Sequence, residues 1–448
     1  MIPMPYAQTA FDEHESTARM LDDRDPLREF RAAFEFPTHA SMARAIPSMG
    51  DIAGRAPDQA VVYLTGNSLG LMPRAARSLL QDELDDWAAL GVEGHLHGRR
   101  PWYPYHEAFR PLLAPLVGAG EDEVVAMNSL TVNLHVLMAT FYRPSGDRHR
   151  IMIEDSAFPS DSYAVASQVA LRGFDPREGV VRLRPREGEA TLRTEDIVDQ
   201  IRAQRGRLAL VLLGAVNYYT GQWFDMPAVT RAAHEAGAVC GWDLAHAIGN
   251  VPMLLHDWGV DFACWCSYKY LNAGPGAVGG AFVHRRHAQD RTLPQLAGWW
   301  GNDPATRFAM GPEFTPVPRA DRWSMSNPPI LSLAPLRAAL DLYSKAGMDR
   351  LRAKSLALTA YASWHLERLA EERAGAVRVL TPADPEARGC QWSLVLGERP
   401  REVYRRLQAA GIVCDFREPD VVRAAPVPLY NSFHDVWRFA RALREVMS

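Results

Sequence analysis

The chain has 448 residues, 47% of them hydrophobic and 23% charged, the composition of a folded globular protein and not of a disordered one. Lys+Arg total 49 against Asp+Glu 53, and the resulting net charge of -4 provides no general attraction to nucleic acid or an anionic membrane. The length exceeds one ordinary core and predicts two globular parts.

Met1 to Glu15 carries prolines and acids without a basic start and apolar run, so no secretory signal is expected, and the reading is cytoplasmic. Residues 1–60 read as a charged segment packing on the core, with a short helix around Asp25 to Ala33. Ala60 to Leu64 is a short apolar run followed by the turn-rich T-G-N-S-L-G. Pro73 opens a helical pattern in which Leu80, Leu84, Trp87 and Leu90 form one apolar face.

From there strand-like runs alternate with helical text: Glu123–Met127, Arg150–Glu154, Val180–Leu183, Leu208–Leu213, Ala238–Trp242, Asp261–Trp265 and Gly280–His284. The last follows its neighbour through a short Gly-rich loop. The alternation predicts an α/β fold, a large domain over 61–325 with a mostly parallel sheet between helices and sites beyond the strands' carboxyl ends. The longest apolar stretch near the middle, Leu208 to Val216, falls far short of the roughly 20 residues that span a bilayer. After Pro328-Pro329 come a helical region, Ser332 to about Ala374, and a strand, Cys390 to Leu396, within a smaller α+β domain over 326–448. The five cysteines (Cys240, Cys264, Cys266, Cys390, Cys414) read as reduced and buried, and Cys264-Trp265-Cys266 lacks the second ligand pair that structural zinc needs. His95 and His97 likewise have no third ligand, and no metal is expected.

Two residues carry the chemistry. Asp243 ends an apolar run, where a buried carboxylate is costly unless it meets a positive partner. Lys269 follows D-F-A-C-W-C-S-Y, where desolvation favours the nucleophilic neutral amine. Singly, Asp243 is as well read as a helix cap and Lys269 as a surface side chain. Together they suit pyridoxal phosphate, whose pyridinium nitrogen wants a carboxylate and whose aldehyde wants a lysine for a Schiff base. The strand, turn and helix start around N-S-L-T-V-N would cradle the phosphate on amide groups and the Thr131 hydroxyl, although Ser129 and Thr131 also suit ordinary caps. Phe158 could stack on a flat ring or belong to the core. Tyr268 could give its hydroxyl to the phosphate.

Gly66-Asn67-Ser68-Leu69-Gly70 fits G-x-S-x-G, the serine-hydrolase elbow, but it follows one clear strand where that fold needs several. A desulfurase or transaminase on the same scaffold is the nearer alternative. A desulfurase needs a cysteine in an exposed loop, and Cys390 and Cys414 lie in strand-like text.

D-L-A-H (Asp243 to His246), C-S-Y-K-Y-L-N-A-G-P-G (Cys266 to Gly276) and M-N-S-L-T-V-N-L-H (Met127 to His135) resemble the kynureninase family. So do A-F-P-S-D (Ala157 to Asp161), Y-Y-T-G-Q (Tyr218 to Gln222), L-H-D-W-G-V-D-F (Leu255 to Phe262), S-N-P-P-I-L (Ser326 to Leu331) and A-P-V-P-L-Y-N-S-F-H-D (Ala425 to Asp435). The resemblance runs from about Leu64 to the carboxyl terminus. It implies a pyridoxal-phosphate enzyme of fold type I in the aminotransferase-like superfamily, a homodimer with shared active sites. The implied reaction is hydrolysis of L-kynurenine or 3-hydroxykynurenine to anthranilate or its 3-hydroxy form and L-alanine.

The resemblance also implies roles. Lys269 holds the cofactor, Asp243 partners its ring nitrogen, and His246 lies close by. Leu130, Thr131 and Tyr268 bind phosphate, and Phe158, Ser160 and Asp161 form the segment covering the ring. Trp299 and Asn327 complete the phosphate pocket from the neighbouring subunit. Ser68, His95, Asn327 and Arg423 face the substrate, with the Arg423 fork on its α-carboxylate, a match of geometry as well as charge. Gly214 stands where many relatives carry a hydroxyl residue, and Asn302 where some carry histidine.

Overall fold

A computed structural model describes residues 10–46, 56–373, 375 and 377–448. Residues 1–9, on which part of the signal-peptide reading rests, and Ala374, at the expected end of the long helical region, lie outside them. Residues 76–218 and 223–341 pack as one compact unit, and the remaining described residues as another. No helix among the described residues is long and apolar enough to cross a membrane.

The first unit is built on a seven-stranded sheet: β1 (Val124–Ala126), β2 (Arg150–Glu154), β3 (Val180–Leu183), β4 (Leu208–Gly214), β5 (Val239–Asp243), β6 (Phe262–Trp265) and β7 (Gly280–Val283), in the order β1-β7-β6-β5-β4-β2-β3. Each expected run became a strand. Adjacent strands are parallel except at β7, which runs antiparallel to both β1 and β6. The loop from Cys266 to Gly279 contains no helix, so it reverses the chain where the other connections cross over it. Central strands carry unbroken apolar runs because both faces are covered: Leu208 to Leu213 are all buried. Leu134, Leu137 and Phe141 of helix Leu130–Phe141 and Val165 and Val169 of helix Pro159–Leu171 pack on one cluster with Ile151, Leu210 and Phe262.

The helix expected after Pro73 spans Ala75–Leu90, and its apolar face is only partly covered. Trp87 is 59% exposed and Leu84 37%, whereas Glu83 and Asp86 are buried. The acids point inward because cations and donors wait for them. Glu83 accepts from Arg100 Nε at 2.6 Å and from the Trp102 indole at 2.8 Å. Asp86 accepts the Arg99 amide at 2.7 Å. Buried charges are tolerable when paired in this way, and Leu84 and Trp87 are left facing outward while Leu80 and Leu90 are half-buried.

The second unit carries a four-stranded antiparallel sheet, β8 (Val377–Val379), β9 (Trp392–Leu396), β10 (Asp415–Arg417) and β11 (Val421–Ala424), in the order β8-β9-β11-β10. The long helical region is two helices, Ile330–Ala346 and Met348–Glu372, broken at Gly347, whose φ of 77° suits glycine. Leu358, Tyr361, Leu394, Val422, Phe439 and Leu443 form its core together with Ala18 and Leu21. Those last two lie on a helix, Glu15–Asp23, that ends before the expected one begins. Only a 3-10 turn, Arg28–Ala33, falls within the expected stretch. Val62 pairs with Ile412 in parallel, so residues read with the large domain join this sheet-bearing unit.

The amino-terminal segment is tied in by charge as well. Lys354 Nζ meets Asp25 Oδ2 at 2.7 Å, with both side chains nearly inaccessible. Breaking such a pair leaves the lysine buried and unpaired, so Asp25→Ala is expected to destabilise the protein by about 3–5 kcal/mol. Chemical denaturation of the two proteins measures this directly, and a loss below about 1 kcal/mol, the value of an exposed pair, would contradict it.

Candidate active site

A cavity of about 160 Å³ opens at the carboxyl edge of the seven-stranded sheet. Glu154, Gly214 and Asp243 are the last residues of the neighbouring strands β2, β4 and β5, and Gly214 stands directly opposite Asp243 in the ladder. Ser129, Leu130 and Thr131 enter from the start of helix Leu130–Phe141; Phe158, Ser160 and Asp161 enter from the start of helix Pro159–Leu171. Lys269 and Tyr268 come from the loop after β6, and Val216, Tyr218, Ala245 and His246 complete the lining. A carboxyl edge in a parallel sheet collects side chains from many connections, which is why this edge carries the chemistry.

Acids crowd one end. Asp243 Oδ1 accepts the Ala245 amide at 2.6 Å within a turn that starts no helix, so the helix-cap reading does not hold. Burial pushes its pKa up, while a hydrogen bond from Asp161, the charge of Lys269 and the Ala245 amide pull it down. Asp161 is pushed well above the usual carboxylate range by burial, then by the charge and hydrogen bond of Asp243 and the charge of Glu154. Both carboxyls are thus raised, and the Ala245 amide and the Lys269 charge favour the ionised form of Asp243. Asp161 Oδ1 is buried with no hydrogen-bond partner among the described residues. A buried polar atom without a partner is costly, and a ligand donor in the cavity would satisfy it.

Lys269 Nζ lies 3.0 Å from Nε2 of His246 and 5.7 Å from the centre of the Phe158 ring. Phe158 is 41% exposed and crosses Tyr218 edge-on at 5.2 Å, so it covers the cavity and is not buried in the core. The chain has three lysines, Lys269, Lys345 and Lys354. Lys345 is exposed and Lys354 is bound to Asp25, which leaves Lys269 as the amine at the cavity.

At the other end the helix start is open. Ser129 occupies the N-cap position of Leu130–Phe141 but makes no side-chain cap bond, so the capping alternative does not hold for it. Thr131 Oγ1 bonds instead to Ser160 Oγ across the cavity at 2.8 Å. Unclaimed amides, two hydroxyls and the positive end of a helix make a phosphate cradle. A Cβ on Gly279 would lie 2.8 Å from the Trp265 carbonyl oxygen and 3.2 Å from the Ser129 carbonyl carbon, so glycine is required where this loop passes under the helix start. Burial pushes the Tyr268 hydroxyl up, so it remains a donor. A cradle for a phosphate, a ring-sized space under an aromatic, buried acids with an orphaned oxygen and a lysine fit pyridoxal phosphate.

Lys269, Asp243, Tyr268, Leu130, Thr131, Phe158, Ser160, Asp161 and His246 thus line one cavity. Trp299, Asn327, His95, Ser68 and Arg423 are not among its lining residues. Trp299 is 41% exposed and donates its indole hydrogen to the Arg307 carbonyl, and Asn327 is exposed. His95 packs edge-on against Trp102 at 5.4 Å. In the other unit Ser68 is half-buried, and the buried Arg423 grips Asp415, Nε to Oδ1 at 2.7 Å with a second bond from Nη2. Asn302 Oδ1 accepts the Thr315 amide, so that side chain serves its own loop. The sequence reading missed Glu154 and Tyr218. A charged residue closing an apolar strand run was the available sign for Glu154.

Residues 351–443 match the family model described as the kynureninase C-terminal domain. The chain is 55% identical over 434 residues to a kynureninase of Myxococcus xanthus, covering 97% of each chain. It is 50% identical to a kynureninase of Koribacter versatilis, covering 97% of this chain and 98% of that one, and 53% identical to a kynureninase of Salinispora tropica, covering 96% and 97%. Among solved structures, the Escherichia coli cysteine desulfurase CsdA superposes with a TM-score of 0.70 at 18% identity, covering 94% of this chain and 98% of that one. A C-DES mutant with glycine covalently linked to its PLP cofactor gives 0.68 at 16% identity, covering 89% and 98%. At such identities these structures establish the fold, that of the type I pyridoxal-phosphate enzymes.

Proposed function

The chain belongs to the kynureninase family, and from that premise we infer that it is a pyridoxal-phosphate hydrolase cleaving the Cβ–Cγ bond of L-kynurenine-type substrates. Water is consumed, and anthranilate and L-alanine are released. The observation that carries this reading is a single cavity in which one lysine, a buried carboxylate and an open helix start meet, in a chain half identical to kynureninases over nearly its whole length. The cofactor supplies an electron sink for the carbanion formed at the substrate Cα.

The chain's own residues do the rest. Lys269 is the base that moves the Cα proton, and His246, 3.0 Å away, holds its amine in place. Asp243 keeps a proton on the ring nitrogen. The amides of Leu130 and Thr131, the Thr131 hydroxyl and the Tyr268 hydroxyl bind phosphate, and Phe158, Ser160 and Asp161 cover the ring. Family membership supports Arg423 as the residue that takes the α-carboxylate and Ser68, His95 and Asn327 as residues that face the substrate. Kinetic assays with L-kynurenine and L-cysteine test the reading. Anthranilate and alanine in equal amounts support it; sulfide from cysteine without anthranilate would move the reaction to the desulfurases.

The homodimer belongs to the same reading. Leu84, Trp87, Val92 and Leu96 present an outward apolar stripe, 37%, 59%, 75% and 63% exposed, of the kind a second subunit covers. Trp299 and Asn327, both exposed, would reach the neighbour's phosphate pocket. Trp87→Glu is expected to shift the sedimenting species from dimer to monomer at micromolar concentration. A wild type that sediments as a monomer there would contradict it. The cytoplasm is the compartment that suits five buried reduced cysteines.

A further inference from the structure

Glu154 has no role in the chemistry above, yet it is among the best-hidden charged residues of the cavity wall. Its side chain is 2% exposed. Both carboxyl oxygens face the Gly214 amide, at 3.2 Å and 3.4 Å. A Cβ at position 214 would stand 3.0 Å from Oε1, so the bare glycine lets the carboxyl lie against the backbone there.

Its surroundings are short of positive charge. β2, β4 and β5 are adjacent, so Glu154 and Asp243 flank Gly214, while Asp161 reaches the cavity from helix Pro159–Leu171. These carboxyls are 2%, 7% and 6% exposed, and Lys269 is the one lysine or arginine lining the cavity with them. The groups acting most strongly on Glu154 are its own and the Gly214 amides, Asp243 and Asn217, none of them cationic. Ionising all three acids around one ammonium would leave uncompensated anions away from water, a cost that neutralisation avoids.

We propose that Glu154 is a positioning residue for the cofactor ring that works as a neutral acid, holding the Gly214 edge of the cavity while leaving the negative charge there to Asp243. The inference rests on the cofactor reading of the site. Burial, with the Asp243 charge adding to it, lifts the Glu154 carboxyl to about 7 against the pull of the amides and Asn217. The neutral form is therefore full at mildly acidic pH and is lost as pH rises through that value. Its loss puts a second anion beside Asp243. The groups this anion faces are Asp243 on β5, Asp161 on helix Pro159–Leu171, Gly214 and Asn217 at the end of β4, and Lys269 and His246 across the cavity.

The test is an absorbance titration of the bound cofactor, with its dissociation constant measured in parallel. Wild type is expected to show a spectral step near pH 7. Glu154→Gln, which keeps an oxygen for the Gly214 amide and a hydrogen to donate, is expected to lose that step and hold the cofactor within about threefold. Glu154→Ala is expected to bind it about tenfold more weakly. Infrared spectra at mildly acidic pH should show a protonated-carboxyl band that Glu154→Gln diminishes. A Glu154→Gln protein that titrates like wild type, keeps the full band, or loses cofactor as badly as Glu154→Ala would overturn the inference and leave the reaction reading standing. A wild type that takes up no pyridoxal phosphate would overturn both.

Discussion

Lys269→Ala is expected to lose the Schiff-base absorbance of the bound cofactor and to lower turnover by at least roughly 10²–10⁴-fold, the usual weight of a positioned proton-transfer group alone. Two functions vanish with one side chain, since the same amine anchors the cofactor and moves the Cα proton. Substitution by another lysine in the chain is not available: Lys345 is exposed and Lys354 is committed to Asp25. Phosphate contacts at Leu130 and Thr131 should still retain some cofactor noncovalently. Borohydride reduction and peptide mapping check the assignment with unusual economy, because only three lysines exist to be labelled. A pyridoxyl group on either of the other two would refute it.

The second large effect is an asymmetry between two neighbouring aspartates. Asp243→Asn is expected to lower kcat/KM by about 10²-fold or more, the scale on which a lost buried charge partner is felt. Asp161→Asn is expected to cost less than about tenfold, because burial and the neighbouring carboxyls already raise Asp161 well above the usual carboxylate range and asparagine keeps a neutral donor and an oxygen there. Exposure does not distinguish the pair, at 7% and 6%. The distinction comes from their partners. Asp243 accepts the Ala245 amide and faces Lys269, whereas Asp161 faces the carboxyls of Asp243 and Glu154. Equal losses in the two variants, measured as kcat/KM and cofactor dissociation, would contradict this asymmetry.

The sheet was legible because strands buried on both faces need unbroken apolar text, and β2, β4, β5 and β6 have it. The Lys269 and Asp243 pair was legible because each closes such a run at the carboxyl edge. Which face of helix Ala75–Leu90 turns inward was not. Its periodicity is real, but the partners that draw Glu83 and Asp86 inward, Arg99, Arg100 and Trp102, lie beyond the helix, and a periodic pattern does not reveal them. Glu154 looked like the ordinary end of a strand, since its significance depends on Gly214 and Asp243 standing beside it in the sheet. The amino-terminal helix Glu15–Asp23 is short and largely charged, and only its contact with the carboxyl-terminal core makes Ala18 and Leu21 apolar anchors. Scarcity of lysine, by contrast, is visible in the sequence and would have singled out Lys269 further.

Addition of L-kynurenine to the purified, cofactor-loaded protein, followed by anthranilate fluorescence and the cofactor spectrum in one cuvette, tests the central claim most directly. The expected result is catalytic growth of anthranilate fluorescence with an immediate change in the cofactor band and alanine released in equal amount. A cofactor band that responds to L-kynurenine without anthranilate, or no response at all, would contradict the assignment of this cavity to Cβ–Cγ hydrolysis.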